Sequence, residues 1–376
     1  MRKRYILFLC SLLLLSFLFT PIEGRAATPS FQIDFIDVGQ GDSALVQCDG
    51  HYMLIDGGGA AKSSLIYSYL KARSIKYIDV MVATHADEDH IGGLSGALNY
   101  ANVGLALCPV TQHDTKTFNN FVKYLGAQGK AITVPKAGNY FTLGSASVYV
   151  LGPIRSSSES NNNSIVLRIV YGNTSFLFTG DAETDEEKDI LASRIVIKSN
   201  VLKVAHHGSS YSTGYQFLRE VAPQYAVISV GTGNSYGHPT ADTLSKLRDA
   251  GVRTLRTDLQ GDIICVSDGR DLSFYVQRNA SVDTLAEAGA GQNSNEIQYF
   301  NNTGISNEQN TPDRSNTGTT SNPSAQTYVL NTNTHKFHYP NCNSVNDMKE
   351  KNKQIYTGSR DDIIAMGYGP CKRCNP

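Results

Sequence analysis

Ile78-Asp79-Val80-Met81-Val82-Ala83, followed at once by Thr84-His85-Ala86-Asp87-Glu88-Asp89-His90, decides the fold of this chain. The first six residues form an apolar run of buried-strand type. They deliver the chain into a loop where His85, Asp87, Asp89 and His90 offer four metal ligands within six residues. Alternate residues of an extended turn would send His85 and Asp87 to one divalent ion and Asp89 with His90 to a second. Imidazole and carboxylate together suit zinc, manganese or iron. A polar loop capping a helix, with Asp89 as the cap, is the plainer alternative.

Two further strand ends repeat the arrangement. Phe176-Leu177-Phe178-Thr179-Gly180-Asp181 places a carboxylate after an apolar strand, and Asp181 can bridge two ions through its two oxygens. Val204-Ala205-His206-His207-Gly208-Ser209 places a histidine pair after another. Singly, such residues are usually loop residues; three strand ends that all deliver Asp or His are a stronger signal. His238, in Tyr236-Gly237-His238-Pro239, follows one more strand end and can hand a proton to a leaving oxygen or bind a phosphate. His51 and His113 read as ordinary surface histidines.

Working outward, strands and helices alternate from about residue 30 to 278. Phe31 to Val38, Ala44 to Gln47 and Tyr52 to Ile55 read as strands separated by the turns Gly39-Gln40-Gly41-Asp42 and Asp56-Gly57-Gly58-Gly59. Helices are expected at Lys62 to Arg73, Ile91 to Tyr100, Lys116 to Leu125, Thr184 to Ser193, Gly214 to Val221 and Ala241 to Ala250. Strands are expected at Ile132 to Pro135, Phe141 to Leu151, Ser164 to Tyr171, Ser175 to Thr179, Val201 to Ala205 and Tyr225 to Val230, then up to Gln277. The fold class is α/β, two sheets packed together with helices outside.

The flanks differ in kind. Arg2-Lys3-Arg4, the apolar run Ile6 to Phe19, Pro21 and the small residues Ala26-Ala27 make residues 1–27 a secretory signal peptide, with an uncleaved surface anchor as the alternative. Secretion to the cell exterior is therefore expected. Residues 279–326 are rich in Asn, Ser, Thr, Gly and Gln and read as a flexible linker. Residues 327–376 regain apolar and aromatic residues and form a small second module. There His338, Cys342, Cys371 and Cys374 make a four-ligand set suited to one structural zinc, with His335 competing for the place of His338. A disulfide among these cysteines is the alternative in an oxidising setting. Cys48, Cys108 and Cys265 lie in strand-like stretches and read as buried thiols.

The formal net charge of −1 over 376 residues excludes a global positive field. A nucleic-acid partner would be held by metal ions or a local basic patch. Lys349, Lys351, Lys353, Lys372 and Arg373 make the last module locally basic.

These motifs carry a resemblance. Thr84 to His90 resembles the signature loop of the metallo-β-lactamase fold, an αββα sandwich, with Asp87 where many members have His. The ordered set IDFIDVGQGDSALV, LIDGG, THADEDHIGGL, NNNSIVL, FLFTGD, LKVAHHGS and SYGHPT resembles the extracytoplasmic hydrolase domain of ComEC-type DNA-uptake competence proteins. The resemblance spans about residues 31 to 278. It implies two divalent ions, zinc or manganese, with His85 and Asp87 on the first, Asp89 and His90 on the second, Asp181 bridging and His206 completing the second. Asp56 would orient a ligand. Asn163-Ser164 stand where the third-motif His is usual, which leaves the first ion fewer ligands. Asn163, Ser164, His207 and Ser209 are expected to back a metal ligand or contact substrate, and Asp89 and His238 to take part in catalysis. Residues 327–376 resemble the Ada-type metal-binding module, with His338 replacing one Cys.

The activity so implied is two-metal hydrolysis of a DNA phosphodiester by a secreted nuclease. A small-molecule metallo-hydrolase (a lactonase, a β-lactamase-like enzyme or a nucleotide phosphodiesterase) stands as the second reading. Asp87 in place of His speaks against a lactam substrate. A non-catalytic nucleic-acid-binding protein is the third, and metal content separates it from the other two.

Overall fold

The computed structural model describes residues 31–286, 298–301, 326–339, 342–346, 348–358, 360–366, 368–371 and 374. The signal-peptide reading at residues 1–27, most of the expected linker, and Lys372 and Arg373 lie outside the described residues.

The strands are β1 (Phe31–Phe35), β2 (Ala44–Cys48), β3 (His51–Ile55), β4 (Tyr77–Val82), β5 (Asn102–Leu107), β6 (Ile132–Thr133), β7 (Tyr140–Leu143), β8 (Ala146–Gly152), β9 (Val166–Tyr171), β10 (Thr174–Phe178), β11 (Val201–Lys203), β12 (Tyr225–Ile228), β13 (Arg253–Arg256), β14 (Ile263–Ser267), β15 (Leu272–Val276) and β16 (Gln298–Asn301). The principal helices are α1 (Ser63–Ala72), α2 (Glu88–Ile91), α3 (Leu94–Tyr100), α4 (Lys116–Ala127), α5 (Thr184–Ser193), α6 (Tyr215–Val221), α7 (Ala241–Asp249) and α8 (Thr257–Gln260). One sheet runs β16-β15-β14-β1-β2-β3-β4-β5-β6 and the other β13-β12-β11-β10-β9-β8-β7.

The two sheets face each other across an aromatic and aliphatic core. Phe31 stacks on Phe176 at 4.8 Å between ring centroids, and Phe35 on Phe178 at 5.7 Å. All four rings are buried, and truncating any one to alanine would cost roughly 3–5 kcal/mol. The outer face of the first sheet packs Leu54, Met81 and Ala106 under Ile66 and Leu70 of α1, Leu94 of α3 and Phe118 and Phe121 of α4. The outer face of the second packs Leu177, Leu202 and Ile228 under Ile190 of α5, Phe217 of α6 and Leu244 of α7. This is the expected αββα sandwich.

Local chemistry sets the helix ends. The Thr115 hydroxyl accepts the Phe118 N–H at the start of α4, and Thr240 accepts the Thr243 N–H at the start of α7. The helix expected from Ile91 is instead broken between α2 and α3 at Gly92-Gly93. A Cβ on Gly92 would stand 2.2 Å from the Ala60 nitrogen, so only glycine lets this turn pass the Asp56–Gly59 loop. The stretch expected as one strand over Phe141 to Leu151 is a hairpin, β7 and β8, turning at Gly144.

Parallel pairing does the positional work. β3, β4, β5 and β6 run parallel to one another, as do β10, β11, β12 and β13. Within each set the carboxyl ends fall at one edge, so the loops after β3, β4, β10, β11 and β12 converge there. This is the usual location of sites in α/β sheets.

The domain continues past the expected boundary at 278. The buried guanidinium of Arg256 donates to the Thr284 carbonyl at 3.2 Å and the Ala286 carbonyl at 2.8 Å, and β16 pairs with β15. The C-terminal module carries its own sheet. Its strands are β17 (Gln326–Asn331), β18 (Lys336–His338), β19 (Lys353–Gly358) and β20 (Gly369–Pro370), ordered β19-β17-β18-β20 over Tyr328, Leu330, Phe337 and Ile363. Among the described residues no helix is long and apolar enough to cross a membrane.

Candidate metal centre

Asp56 leaves β3 in the left-handed conformation, φ 56°, and is fully buried. One oxygen accepts the Thr84 N–H at 2.8 Å. The other accepts the Thr84 hydroxyl at 2.7 Å and the His90 Nδ1–H at 2.9 Å. This fixes the tautomer of His90, so Nε2 is the free nitrogen and stands 3.2 Å from Asp181. Asp56 thus fixes the orientation of the His90 ring.

His207 is built the same way. Its Nδ1 faces the Ser229 carbonyl at 3.0 Å and the Asp42 carboxylate at 3.2 Å. Its Nε2 faces Asp89 at 3.3 Å and Asp181 at 3.5 Å. Asp181 lies between the two imidazoles, with its own N–H donated to the Ser164 hydroxyl at 3.0 Å. His85 is buried beside His90, ring centroids 4.1 Å apart, and its Nε2 is 3.7 Å from the half-exposed Asp87. Ser160 braces Asp87 with a 2.7 Å hydrogen bond.

The charges couple strongly. Burial alone would depress His207, but Asp181 and Asp42 outweigh it and push the ring up to about 10. Burial is likewise overcome at His90, which Asp181 and Asp56 raise well above the ordinary range. Asp181 is held far below the usual carboxylate range, against burial, by His90 and His207, and Asp89 is lowered by His207 and His90. His85 shifts down through burial and the neighbouring His90.

These donors fit divalent metal. Nε2 of His85, His90 and His207 and Oδ1 of Asp181 are buried and outside hydrogen-bond geometry. Ligand atoms of His85, His90 and Asp181 lie within 4.8 Å of one another, as do those of Asp89, His90 and His207. Converging, desolvated lone pairs of this kind are costly without a cation to share.

The structure reverses the expected roles of the histidine pair. His206, expected to complete the second ion's ligands, is partly exposed; its Nε2 is 3.8 Å from Asp181 and its Nδ1 3.2 Å from Glu183. His207, expected at the margin, takes the central place. Both residues are left-handed, φ 49° and 53°, and this tight turn aims the second ring inward. Asn163 and Ser209 also differ from expectation. Asn163 brackets its own loop through Ser157 and Glu159, and Ser209 is buried and accepts the Thr243 hydroxyl on its carbonyl.

His238 lies at the mouth, its ring edge-on to His206 at 5.5 Å. Burial and the neighbouring His206 and His207 lower it to about 4, so it is neutral at pH 7. His51 pairs with Asp79, and His113 lies against Phe118; neither joins the centre.

Asp42, its partner Lys203 and Glu183 escaped the sequence reading. Asp42 is buried, backs His207 and pairs with the buried Lys203 at 2.8 Å. Glu183 faces His206. The Gly39-Gln40-Gly41-Asp42 turn had a visible signal, a carboxylate after a strand, but was taken as a turn only. A Cβ on Gly41 would stand 2.3 Å from the Asp89 carbonyl, which is how closely this turn is packed against the metal loop.

In the C-terminal module, ligand atoms of His338, Cys342, Cys371 and Cys374 all lie within 4.8 Å of one another. None of these described cysteines is in a disulfide, and burial pushes Cys374 up to about 12. His335 packs against Tyr368 with the rings tilted, outside this set. The set is compatible with a closed zinc site.

Comparison with known proteins agrees with this geometry. Residues 36–232 match the metallo-beta-lactamase superfamily. ComE operon protein 3 of Bacillus subtilis is 32% identical over 273 residues, covering 68% of this chain and 34% of that protein. Competence protein ComA of Neisseria gonorrhoeae is 32% identical over 228 residues, covering 60% and 30%. The chain thus spans about a third of the length of these relatives. Among solved structures, the metallo-beta-lactamase fold protein YhfI of Bacillus subtilis aligns with a TM-score of 0.41 and 16% identity, covering 60% of this chain and 95% of that one. The matched segment contains the Asp56, His85–His90, Asp181 and His206–His207 loops, and the chain belongs to the metallo-beta-lactamase superfamily of metallo-hydrolases, with ComEC-type competence proteins among its homologues.

Proposed function

We propose that this chain is a secreted, metal-dependent phosphodiesterase that cleaves DNA. The observation that carries the proposal is Asp181 set between His90 and His207, each imidazole backed by a carboxylate and each turning a free Nε2 to the same point. Competence-protein relatives supply the nucleic-acid context, and the Arg2-Lys3-Arg4 start with its apolar run supports export.

Asp89, His90 and His207 would hold one ion together with an oxygen of Asp181. His85 and Asp87, with Asp181 shared between them, would hold the second. Bound divalent ions supply Lewis acidity, bringing a water to a pKa of about 7 and offsetting charge on phosphoryl oxygens. The protein's own part is geometric. Asp56 and Asp42 orient the two imidazoles, Ser164 anchors the Asp181 backbone by accepting its N–H, and Ser160 donates to the Asp87 carboxylate. Neutral His238 can donate a hydrogen bond to a phosphoryl oxygen at the mouth, without carrying a charge of its own.

The test is metal-dependent cleavage of DNA by the full chain, with His85→Ala and His207→Ala as site variants. Loss of cleavage in both, with folding retained, supports the proposal. Wild-type protein inert with manganese and with zinc contradicts it.

A further inference from the structure

Ring contacts link the metal loop to an exposed aromatic residue. His207 is 5.3 Å from His90, His206 is 6.1 Å from His207, and His238 is 5.5 Å from His206. The last ring outward is Tyr236. It lies nearly parallel to His238, 5.8 Å away with 24° between planes, and is 68% exposed. One face is turned toward His238 and most of the ring is open to solvent.

This tyrosine stands on a braced loop. The Asn234 side chain accepts the N–H groups of Tyr236 and His238 and donates to the Gly231 and His238 carbonyls. Gly231 in turn donates to the Gln40 side chain, tying the loop to the turn that carries Asp42. Gly237, at φ 71°, allows the reversal between the two rings. An aromatic ring exposed on a braced loop contributes little to the core. Its open π-face suits a flat, sequence-independent partner at little entropic cost.

We propose that Tyr236 is a stacking platform for an unpaired nucleobase next to the phosphodiester bound at the metal centre. Bases inside a duplex already have both faces stacked, so only a single strand or a splayed end can use the platform. The preferred substrate is therefore single-stranded DNA. This rests on the phosphodiesterase reading and names its substrate class.

The test compares kcat/KM on an end-labelled oligothymidylate with that on a strand of equal length bearing abasic sites around the scissile bond, using the full chain with manganese. The expected result is a preference for the base-bearing strand that falls about 5- to 100-fold in Tyr236→Ala. Tyr236→Phe and Tyr236→Trp should keep it, as should Tyr140→Ala, an exposed tyrosine on β7. Equal losses on both strands in Tyr236→Ala would make the ring a mere brace for His238 and overturn the proposal, as would no change on either. Wild-type protein that cleaves neither strand defeats the phosphodiesterase reading itself, and this inference falls with it. Cleavage of both at equal rates defeats the platform alone.

Discussion

Lys203 Nζ lies 2.8 Å from the Asp42 carboxylate, and both groups are buried. The same carboxylate reaches His207 Nδ1 at 3.2 Å, so one ion pair at the end of β11 orients an imidazole at the centre of the metal site. Lys203 and Asp42 act on the site through the His207 ring.

Removing one partner of this pair leaves an uncompensated buried charge. Asp42→Ala is expected to destabilise the domain by about 3–5 kcal/mol in urea melts. It should also weaken metal affinity about 10- to 100-fold in chelator competition. Adding Lys203→Met should recover stability without recovering affinity. Recovery of both would mean that Asp42 acts on His207 only through the fold.

The metal loop was legible in the sequence because four donors crowd six residues directly after a buried strand, and Asp181 because it follows a second one. The choice between His206 and His207 was not legible. Adjacent residues of a turn point in different directions, and only the left-handed φ values of both decide which enters the core. Asp42 was hidden by its turn-forming neighbours Gly39 and Gly41, since its role depends on β11 bringing Lys203 alongside from a distant part of the chain. The strand β5, Asn102–Leu107, was missed because Gly104 interrupts its apolar pattern; a Cβ there would meet the Asp79 carbonyl at 2.5 Å.

Metal uptake should release protons. The carboxylates around His90 and His207 raise both rings above the ordinary imidazole value and so favour a proton that a ligating imidazole must give up. Calorimetry in buffers of differing ionisation enthalpy is expected to show about two protons released per hydrolase site, with affinity falling as pH drops. Uptake without proton release would contradict the ligand assignment.

Glu187 gives a stability signature apart from the metal. It is buried, accepts the Thr213 and Gly214 N–H groups, and burial pushes its carboxyl up to about 7. A folded pKa above the unfolded one means the protonated form favours folding. That contribution is present below about 4.5 and is lost as pH rises through 7. Relative to Glu187→Gln, the wild type should lose about 3 kcal/mol between these limits. Parallel pH profiles for the two proteins would contradict this.

In the C-terminal module, Cys371→Ala is expected to abolish one bound zinc per chain and unfold that module, leaving the hydrolase transition in place. Zinc content and thermal scans of the full chain measure both. Unchanged zinc content in Cys371→Ala would remove Cys371 from the ligand set.

Cleavage of end-labelled single-stranded DNA by chelator-stripped full-length chain, with manganese or zinc added back, tests the assigned chemistry most directly. Cleavage is expected only after metal is restored, and Asp181→Asn is expected to lose it at least 100-fold, the order of a lost transition-state charge contact. Absence of cleavage with either metal, or equal cleavage by wild type and Asp181→Asn, would contradict a metal-dependent phosphodiesterase built on Asp181.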